Sequence, residues 1–128
     1  MKAKLKNIYR RKLREQDGLA IWIVDGATIR SLLYTDFVMG GTEARYAFIP
    51  KNEVWIDNAI SGEEMEYTIT HEIEERKLMM EAKLSYGDAH DKAVEVEQKM
   101  RKKDIAEVKE HEEKLGEVEN KIYETYGN

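Results

Sequence analysis

The chain contains 128 residues, with 21 lysines and arginines, 26 aspartates and glutamates and no cysteine. This length predicts one domain, since chains divide into several domains only beyond roughly 250 residues. The lack of cysteine excludes disulfide frameworks, thiolate zinc sites and cysteine nucleophiles, and it favours a cytosolic protein. No apolar stretch approaches the ~18 residues that a membrane-spanning helix needs, so we expect neither membrane insertion nor secretion.

Charge is distributed unevenly along the chain. Residues 1–16 carry a net charge of +6, residues 17–60 of −3 and residues 61–128 of −8. We interpret these segments as a basic arm, a sheet-forming segment and a helical half, which together form a single domain, 1–128.

The basic arm has apolar residues at helical spacing, namely Leu5, then Ile8 or Tyr9, then Leu13. This spacing predicts a short amphipathic helix or a frayed arm. Clustered cations bind phosphates, but the net charge of −11 over the remaining residues argues against nucleic acid as a partner. We expect the arm to rest on the acidic half of the chain instead.

The sheet-forming segment begins with a buried strand. Leu19 to Val24 are continuously apolar, and Asp25-Gly26 follows as a turn signal. Residues 27–39 fit either a second strand or a helical turn near residues 29–33, and Gly40-Gly41 ends them.

A hairpin is predicted next. Tyr46 to Ile49 and Glu53 to Asp57 are short runs of strand-forming residues on either side of Pro50-Lys51-Asn52. The segment from about residue 19 to residue 57 therefore predicts a small, mostly antiparallel sheet.

After Asp57 the apolar period changes from two to 3.6 residues, which indicates helices. Ser61 followed by Glu64 matches a capping box, so a helix should extend over residues 62–82 and pack on the sheet. Ser85 and Asp88 repeat the capping pattern and predict a second helix, which forms a helical hairpin with the first.

The C-terminal section continues as helix. Its stripe of Val108, Leu115, Val118 and Ile122, with His111 on the same face, is out of register with the apolar residues that end at Met100. Either the helix bends around residues 101–105 or a third helix begins near Asp104. The stripe predicts a homo-oligomer or a helical protein partner, with His111 as a core or interface residue.

These elements define an α+β fold with a sheet of three or four strands. We expect its core to contain Leu19 to Val24, Phe48, Val54, Ile56, Ile69, Ile73, Leu78, Ala89, Ala93 and Val96.

One cluster of residues carries candidate chemistry. His71 and Glu75 lie one helical turn apart, as two metal ligands on one helix must, and His90 lies near the start of the next helix. Two histidines and a carboxylate suit Zn(II), Mn(II) or Fe(II). Glu72 is placed to act as a general base, and Tyr86 could donate to an oxyanion.

A structural interpretation of the same residues stays open. His71 could pair with Glu75 only to stabilise its helix, His90 could hydrogen-bond within the hairpin, and Tyr86 could be a packing residue. The sequence therefore supports two functions, a small metal-dependent hydrolase or a non-enzymatic interaction protein.

The order of these elements resembles the core of zincin metallopeptidases, with a strand at 53–57, a helix carrying His71-Glu72 and a further ligand on the next helix. The resemblance implies His71 as a ligand, Glu72 as the base and a strand at 53–57 that lies along the substrate. Glu75 stands where zincins carry a second histidine. The segments FIPKNEVWID, THEIEERKLM and SYGDAHDKA also resemble small uncharacterised prokaryotic and viral proteins.

Overall fold

The computed structural model describes the backbone of residues 7–60 and 62–126 and the side chains of residues 7–60 and 62–114. The described elements form the predicted α+β fold. In chain order they are β1 (Tyr9–Gln16), β2 (Leu19–Val24), α1 (Gly26–Leu32), β3 (Gly40–Thr42), β4 (Glu53–Asp57), α2 (Glu63–Met80) and α3 (Tyr86–Tyr126).

The four strands form one sheet in the order β1-β2-β4-β3. β1 pairs with β2 and β3 pairs with β4 in antiparallel orientation, whereas β2 and β4 are parallel. The sheet is therefore mostly antiparallel, as the sequence predicts. The parallel pair requires a crossover connection, and this connection contains α1 and β3.

The interpretation of residues 9–16 as part of an amphipathic helix or frayed arm is wrong, because they form strand β1. Asp17 and Gly18 both have positive φ angles, 53° and 75°, which is the conformation of a tight two-residue hairpin turn. β1 is an edge strand, and the exposed side chains of Arg11 and Lys12 protect such an edge from pairing with other chains. The start of the predicted arm, before residue 7, lies outside the described residues.

Residues 27–39, which the sequence left open, begin in helix rather than strand. The Asp25 side chain caps α1 by accepting a hydrogen bond from the Thr28 backbone N–H at 3.1 Å. Asp25 thus acts as a capping residue in this fold.

The predicted hairpin is also wrong, since Tyr46 to Ile49 form turns and β4 pairs with β3 instead. The aromatic rings of this segment pack inward, and Tyr46 lies directly against β3. A Cβ atom on Gly41 would lie 2.5 Å from the Tyr46 ring. No side chain fits at Gly41 beneath the ring, and a Cβ atom on Gly40 would lie 2.6 Å from the Trp55 carbonyl oxygen, so both of these positions in β3 require glycine.

Both faces of the sheet are covered, which explains why β2 is apolar throughout. Ile21 and Ile23 belong to a cluster with Ile69 of α2, whereas Val24 packs on the opposite face with Ile29 of α1. A strand buried on both faces cannot alternate between apolar and polar residues.

Most of the predicted core is buried. The partly buried members are Ala20, Trp22, Phe48, Ile73 and Leu78. Val96 is 37% exposed, so its inclusion in the core is wrong. The predicted core omitted six residues that are buried, namely Ile8, Ile29, Phe37, Ile49, Trp55 and Tyr67.

The helices begin close to their predicted positions. Gly62, and not Ser61, is the N-cap of α2, without a side-chain capping bond, and Ser61 itself lies outside the described residues. The Ser85 hydroxyl accepts a hydrogen bond from the Asp88 N–H at 3.2 Å, as its capping role requires. α3 extends over Tyr86–Tyr126 as one helix, so a separate helix starting near Asp104 is wrong.

The chain contains two compact units, Met1–Glu97 and Gln98–Asn128. In the second unit Val108 is 52% exposed and His111 is exposed, so His111 is not a core residue. The side chains of Leu115, Val118 and Ile122 lie outside the described residues. Within the described part of the chain, every helix is too short or too polar to cross a membrane.

Candidate metal centre

The three predicted ligands meet. The Nε2 atom of His71 lies 3.0 Å from Oε2 of Glu75 and 3.3 Å from Nδ1 of His90, and His90 Nδ1 lies 3.1 Å from the same Glu75 oxygen. α2 supplies the first two residues from adjacent turns of one face, and the first turns of α3 supply the third. The donor atoms thus form a nearly equilateral triangle.

The size of this triangle matches ligands around a shared ion. Donor atoms 2.0–2.1 Å from a tetrahedral zinc ion lie roughly 3.3 Å from one another. His71 and Glu75 are buried and His90 is partly buried, so the cluster is largely shielded from competing water. The residues present therefore fit a divalent cation with two nitrogen ligands and one oxygen ligand.

Hydrogen bonds alone do not satisfy the three contacts when Glu75 is ionised. The carboxylate only accepts, so both imidazole nitrogens must carry protons to donate to it. Two N–H groups would then face each other across the 3.3 Å gap between His71 and His90. A cation removes this conflict, because all three atoms then direct lone pairs toward it.

The second nitrogen of His71 supports the same arrangement. Its Nδ1 atom is buried without a hydrogen-bond partner, and the nearest carboxylate oxygen, Oε1 of Glu97, lies 3.4 Å away. When Nε2 binds a metal, the proton of the ring resides on Nδ1 and faces such a carboxylate, which orients the ring. Burial opposes the charge on His71, yet the Glu75 hydrogen bond and the neighbouring carboxylates raise its pKa above the ordinary value.

Glu72 lies beside the triangle and is only 8% exposed. Burial, together with the carboxylates of Glu75 and Glu97, raises its pKa from 4.5 to about 8, although His71 acts in the opposite direction. Three carboxylates thus share one small region with two imidazoles, and neither Glu72 nor Glu75 pairs with a described lysine or arginine. A cation in the triangle would lower the pKa of Glu72 and favour its ionised form.

The cluster opens into a cavity of about 330 Å³, near the lower limit of the volumes typical of small-molecule sites. Glu72 and all three ligands contribute to its wall. The other lining residues are Asp36, Val38, Met39, Gly40, Arg45, Tyr46, Thr68, Tyr86, Val94 and Glu97.

Tyr86 lines this cavity, as its predicted role requires. Its ring centroid lies 5.5 Å from that of His90, and the Arg45 guanidinium carbon lies 4.0 Å above the Tyr86 ring. Burial and the nearby Glu75 carboxylate raise the pKa of Tyr86, although Arg45 acts in the opposite direction. The phenol is therefore protonated near neutral pH and able to donate a hydrogen bond.

The strand at 53–57 does not have the place that the zincin resemblance implies. β4 is paired with β2 along one edge and with β3 along the other. Its backbone groups are engaged on both sides, so a substrate chain cannot align with it. β3, which ends the sheet, contributes Gly40 to the cavity wall instead.

Comparison with known proteins adds no assignment. No family model matches the chain, and neither a curated protein nor a solved structure matches it significantly.

The sequence did not identify Glu97 and Arg45 as residues of the site. Glu97 follows His90 by seven residues and Val94 by three, so all three share a helix face, and this spacing was a usable signal. Arg45 lies in an irregular segment after β3, where no periodicity indicates which way a side chain points. Only the tertiary fold brings it to the cavity.

Proposed function

We propose that this protein is a small metal-dependent hydrolase, with His71, Glu75 and His90 as the ligands of one divalent ion. The single observation that supports this most strongly is the convergence of three donor atoms, 3.0–3.3 Å apart, beside a buried carboxyl group in a cavity. Zinc, manganese and iron(II) all accept such nitrogen and oxygen donors. When bound, such an ion polarises an acyl oxygen and lowers the pKa of water.

Glu72 is the proposed general base. Its carboxylate takes a proton from the attacking water as the new C–O bond forms at the acyl carbon of an amide or ester. The same proton then passes to the leaving nitrogen or oxygen as the original acyl bond breaks. Burial beside the ligands keeps bulk water from competing for Glu72.

The remaining residues orient the reactants. Glu97 fixes the imidazole ring of His71 through Nδ1, so that Nε2 faces the ion. The phenol of Tyr86 donates a hydrogen bond to the oxyanion that develops on the acyl oxygen. In this scheme the buried ionisable residues of the cavity, His71, Glu72 and Glu75, each have a role in metal binding or proton transfer.

The first test is metal binding by the full chain. Metal-free protein is titrated with Zn²⁺, Mn²⁺ and Fe²⁺ while bound metal is counted by elemental analysis and the melting temperature is followed. We expect one ion per chain and a melting temperature that rises with metal concentration. A chain that binds none of the three metals, with an unchanged melting temperature, would refute the proposal.

The second test separates catalysis from metal binding. The zinc-loaded wild type and Glu72→Gln are assayed against a panel of small amides and esters. We expect hydrolysis to fall roughly 10²- to 10⁴-fold in the variant while its zinc content stays at one ion per chain. Glu74→Gln, on the same helix but outside the cavity, is the matched control and should retain activity.

A second candidate function is self-association through the C-terminal part of α3. Val108 and Ile105 are 52% and 53% exposed, which is costly for apolar residues on an isolated helix. A second copy of the chain would cover them through coiled-coil contacts with the predicted stripe of Val108, Leu115, Val118 and Ile122. Light scattering of wild type and Leu115→Ser/Ile122→Ser tests this, and a monomeric wild type would contradict it.

A further inference from the structure

Arg45 differs from every other charged side chain in the cavity wall. Among the described lining residues it is the only lysine or arginine, whereas Asp36, Glu72, Glu75 and Glu97 are acidic. Its guanidinium group is exposed and forms no ion pair with a described carboxylate. A cation without an acidic partner, at the wall of a cavity, is available to a ligand.

The guanidinium group is nevertheless held in place. Its carbon lies 4.0 Å from the centroid of the Tyr86 ring and 5.6 Å from that of Tyr46. Such cation–π contacts restrain the orientation of an arginine side chain. The backbone is fixed as well, because the Arg45 N–H donates to the Thr42 carbonyl at 3.1 Å.

The contacts also place Arg45 near the proposed metal. The centroid of the Tyr86 ring lies 4.0 Å from the Arg45 guanidinium carbon and 5.5 Å from the centroid of the His90 ring. One aromatic ring therefore links the guanidinium group to a ligand of the triangle. A small substrate in a cavity of about 330 Å³ can reach both at once.

We propose that Arg45 binds a carboxylate on the substrate, so that the hydrolase acts on small acyl compounds that carry a free carboxylate close to the scissile bond. This inference rests on the proposed function. The planar fork of arginine pairs with carboxylate through two parallel hydrogen bonds. A doubly charged phosphate also fits that fork, but the acidic lining of the cavity repels a dianion more strongly than a monoanion.

The test uses probes that bind metal and differ only in their second group. Succinic acid monohydroxamate carries a hydroxamate for the ion and a carboxylate for Arg45. Its amide counterpart lacks the charge, and 3-phosphonopropionohydroxamate carries a phosphonate. Affinities for the zinc-loaded full chain are measured by calorimetry, after zinc content has been determined for each protein.

We expect the carboxylate probe to bind the wild type about tenfold more tightly than the amide probe, as a charge-assisted hydrogen-bond pair predicts. Arg45→Gln should abolish this preference with unchanged zinc content, and Arg45→Lys should restore part of it. Arg11→Gln, which removes an exposed arginine of β1 outside the cavity, is the matched control and should keep the full preference.

Each other outcome is decisive. Equal affinity of the wild type for the carboxylate and amide probes overturns the role of Arg45 while leaving the metal site intact, and this comparison needs no variant to fold. Tighter binding of the phosphonate overturns the choice of carboxylate. Failure of the wild type to bind zinc removes the hydrolase proposal and this inference together.

Discussion

In the described part of the chain, acidic side chains around the sheet have arginine partners, whereas the buried acidic side chains of the cavity do not. Around the sheet, acidic groups have strong donors: Asp57 pairs with Arg30 at 2.7 Å, and Glu43 pairs with Arg76 at 2.6 Å. In the cavity, Glu72 and Glu75 lie beside each other and beside two imidazoles, without an arginine or lysine partner among the described residues. The charge pairs around the sheet stabilise the fold, whereas the carboxylates of Glu72 and Glu75 in the cavity do not.

This difference singles out the cavity as the candidate functional region. A buried carboxylate without a cationic partner destabilises a fold, so such groups persist where chemistry needs them. A divalent ion would neutralise the carboxylates of the cavity, as the arginines neutralise the carboxylates around the sheet. The comparison therefore predicts opposite responses to mutation in the two regions.

The largest expected effect is on metal affinity when a ligand is removed. Glu75→Gln replaces a charged oxygen ligand with a neutral amide, and we expect zinc affinity to fall by more than about 100-fold. Equilibrium titration against a competing chelator measures the change. Glu74→Gln on the same helix should bind zinc like the wild type, and equal losses in both variants would point to a general charge effect instead.

Replacing Glu72 should stabilise the protein at high pH, whereas the loss of a buried polar group usually destabilises a fold. In the metal-free protein its pKa is about 8, against 4.5 as the ordinary value. Between these pH values Glu72 holds a proton in the folded state but has released it in the unfolded state. The contribution of Glu72 to stability therefore falls as the pH rises from about 4.5 to 8. From pH 5 to pH 9 we expect the wild type to lose roughly 4 kcal/mol more stability than Glu72→Gln, which should leave the variant the more stable protein at pH 9.

Urea unfolding of metal-free protein at pH 5 and pH 9 measures this effect. The stability of the variant should still fall with rising pH, but less steeply than that of the wild type. The remaining fall comes from His71, because a raised pKa stabilises the folded state at low pH and this stabilisation is lost as the pH rises through the pKa of His71 in the folded protein. Glu95→Gln, an exposed carboxylate on α3, should follow the wild type at both pH values. A Glu72→Gln variant that is less stable than the wild type at pH 9 would contradict the assignment.

The opposite response is expected beside the sheet. Arg30→Met leaves the Asp57 carboxylate, which is 6% exposed, without the cation that lies 2.7 Å away. Because Arg30 itself is partly exposed, we expect a loss of about 2 kcal/mol, less than for a fully buried pair. Chemical denaturation measures the loss, and zinc affinity should not change. Arg30→Met/Asp57→Asn should regain part of the stability, since no unpaired charge then remains.

The two regions also differ in how far the sequence predicted them. The helical spacing of His71 and Glu75 required only local geometry, and the triangle with His90 followed because the connection between the helices is short. β1 was misassigned because its charged, exposed residues lack the alternation of a half-buried strand, although Asp17-Gly18 carried the turn signal. β3 could not be predicted from its two glycines, since the close approach of Tyr46 to Gly41 and of Trp55 to Gly40 arises only in the folded chain.

The smallest effect expected at the candidate metal centre concerns Glu97, which would act on a bound ion only through His71. Its Oε1 atom lies 3.4 Å from the buried Nδ1 of His71, so Glu97→Gln replaces a charged acceptor with a weaker one while preserving size. We expect zinc affinity to fall about tenfold, because the imidazole becomes a poorer and less oriented ligand. Glu95→Gln on the same helix controls for charge alone. If both variants bind zinc equally well, Glu97 has no part in orienting His71, and the triangle stands without it.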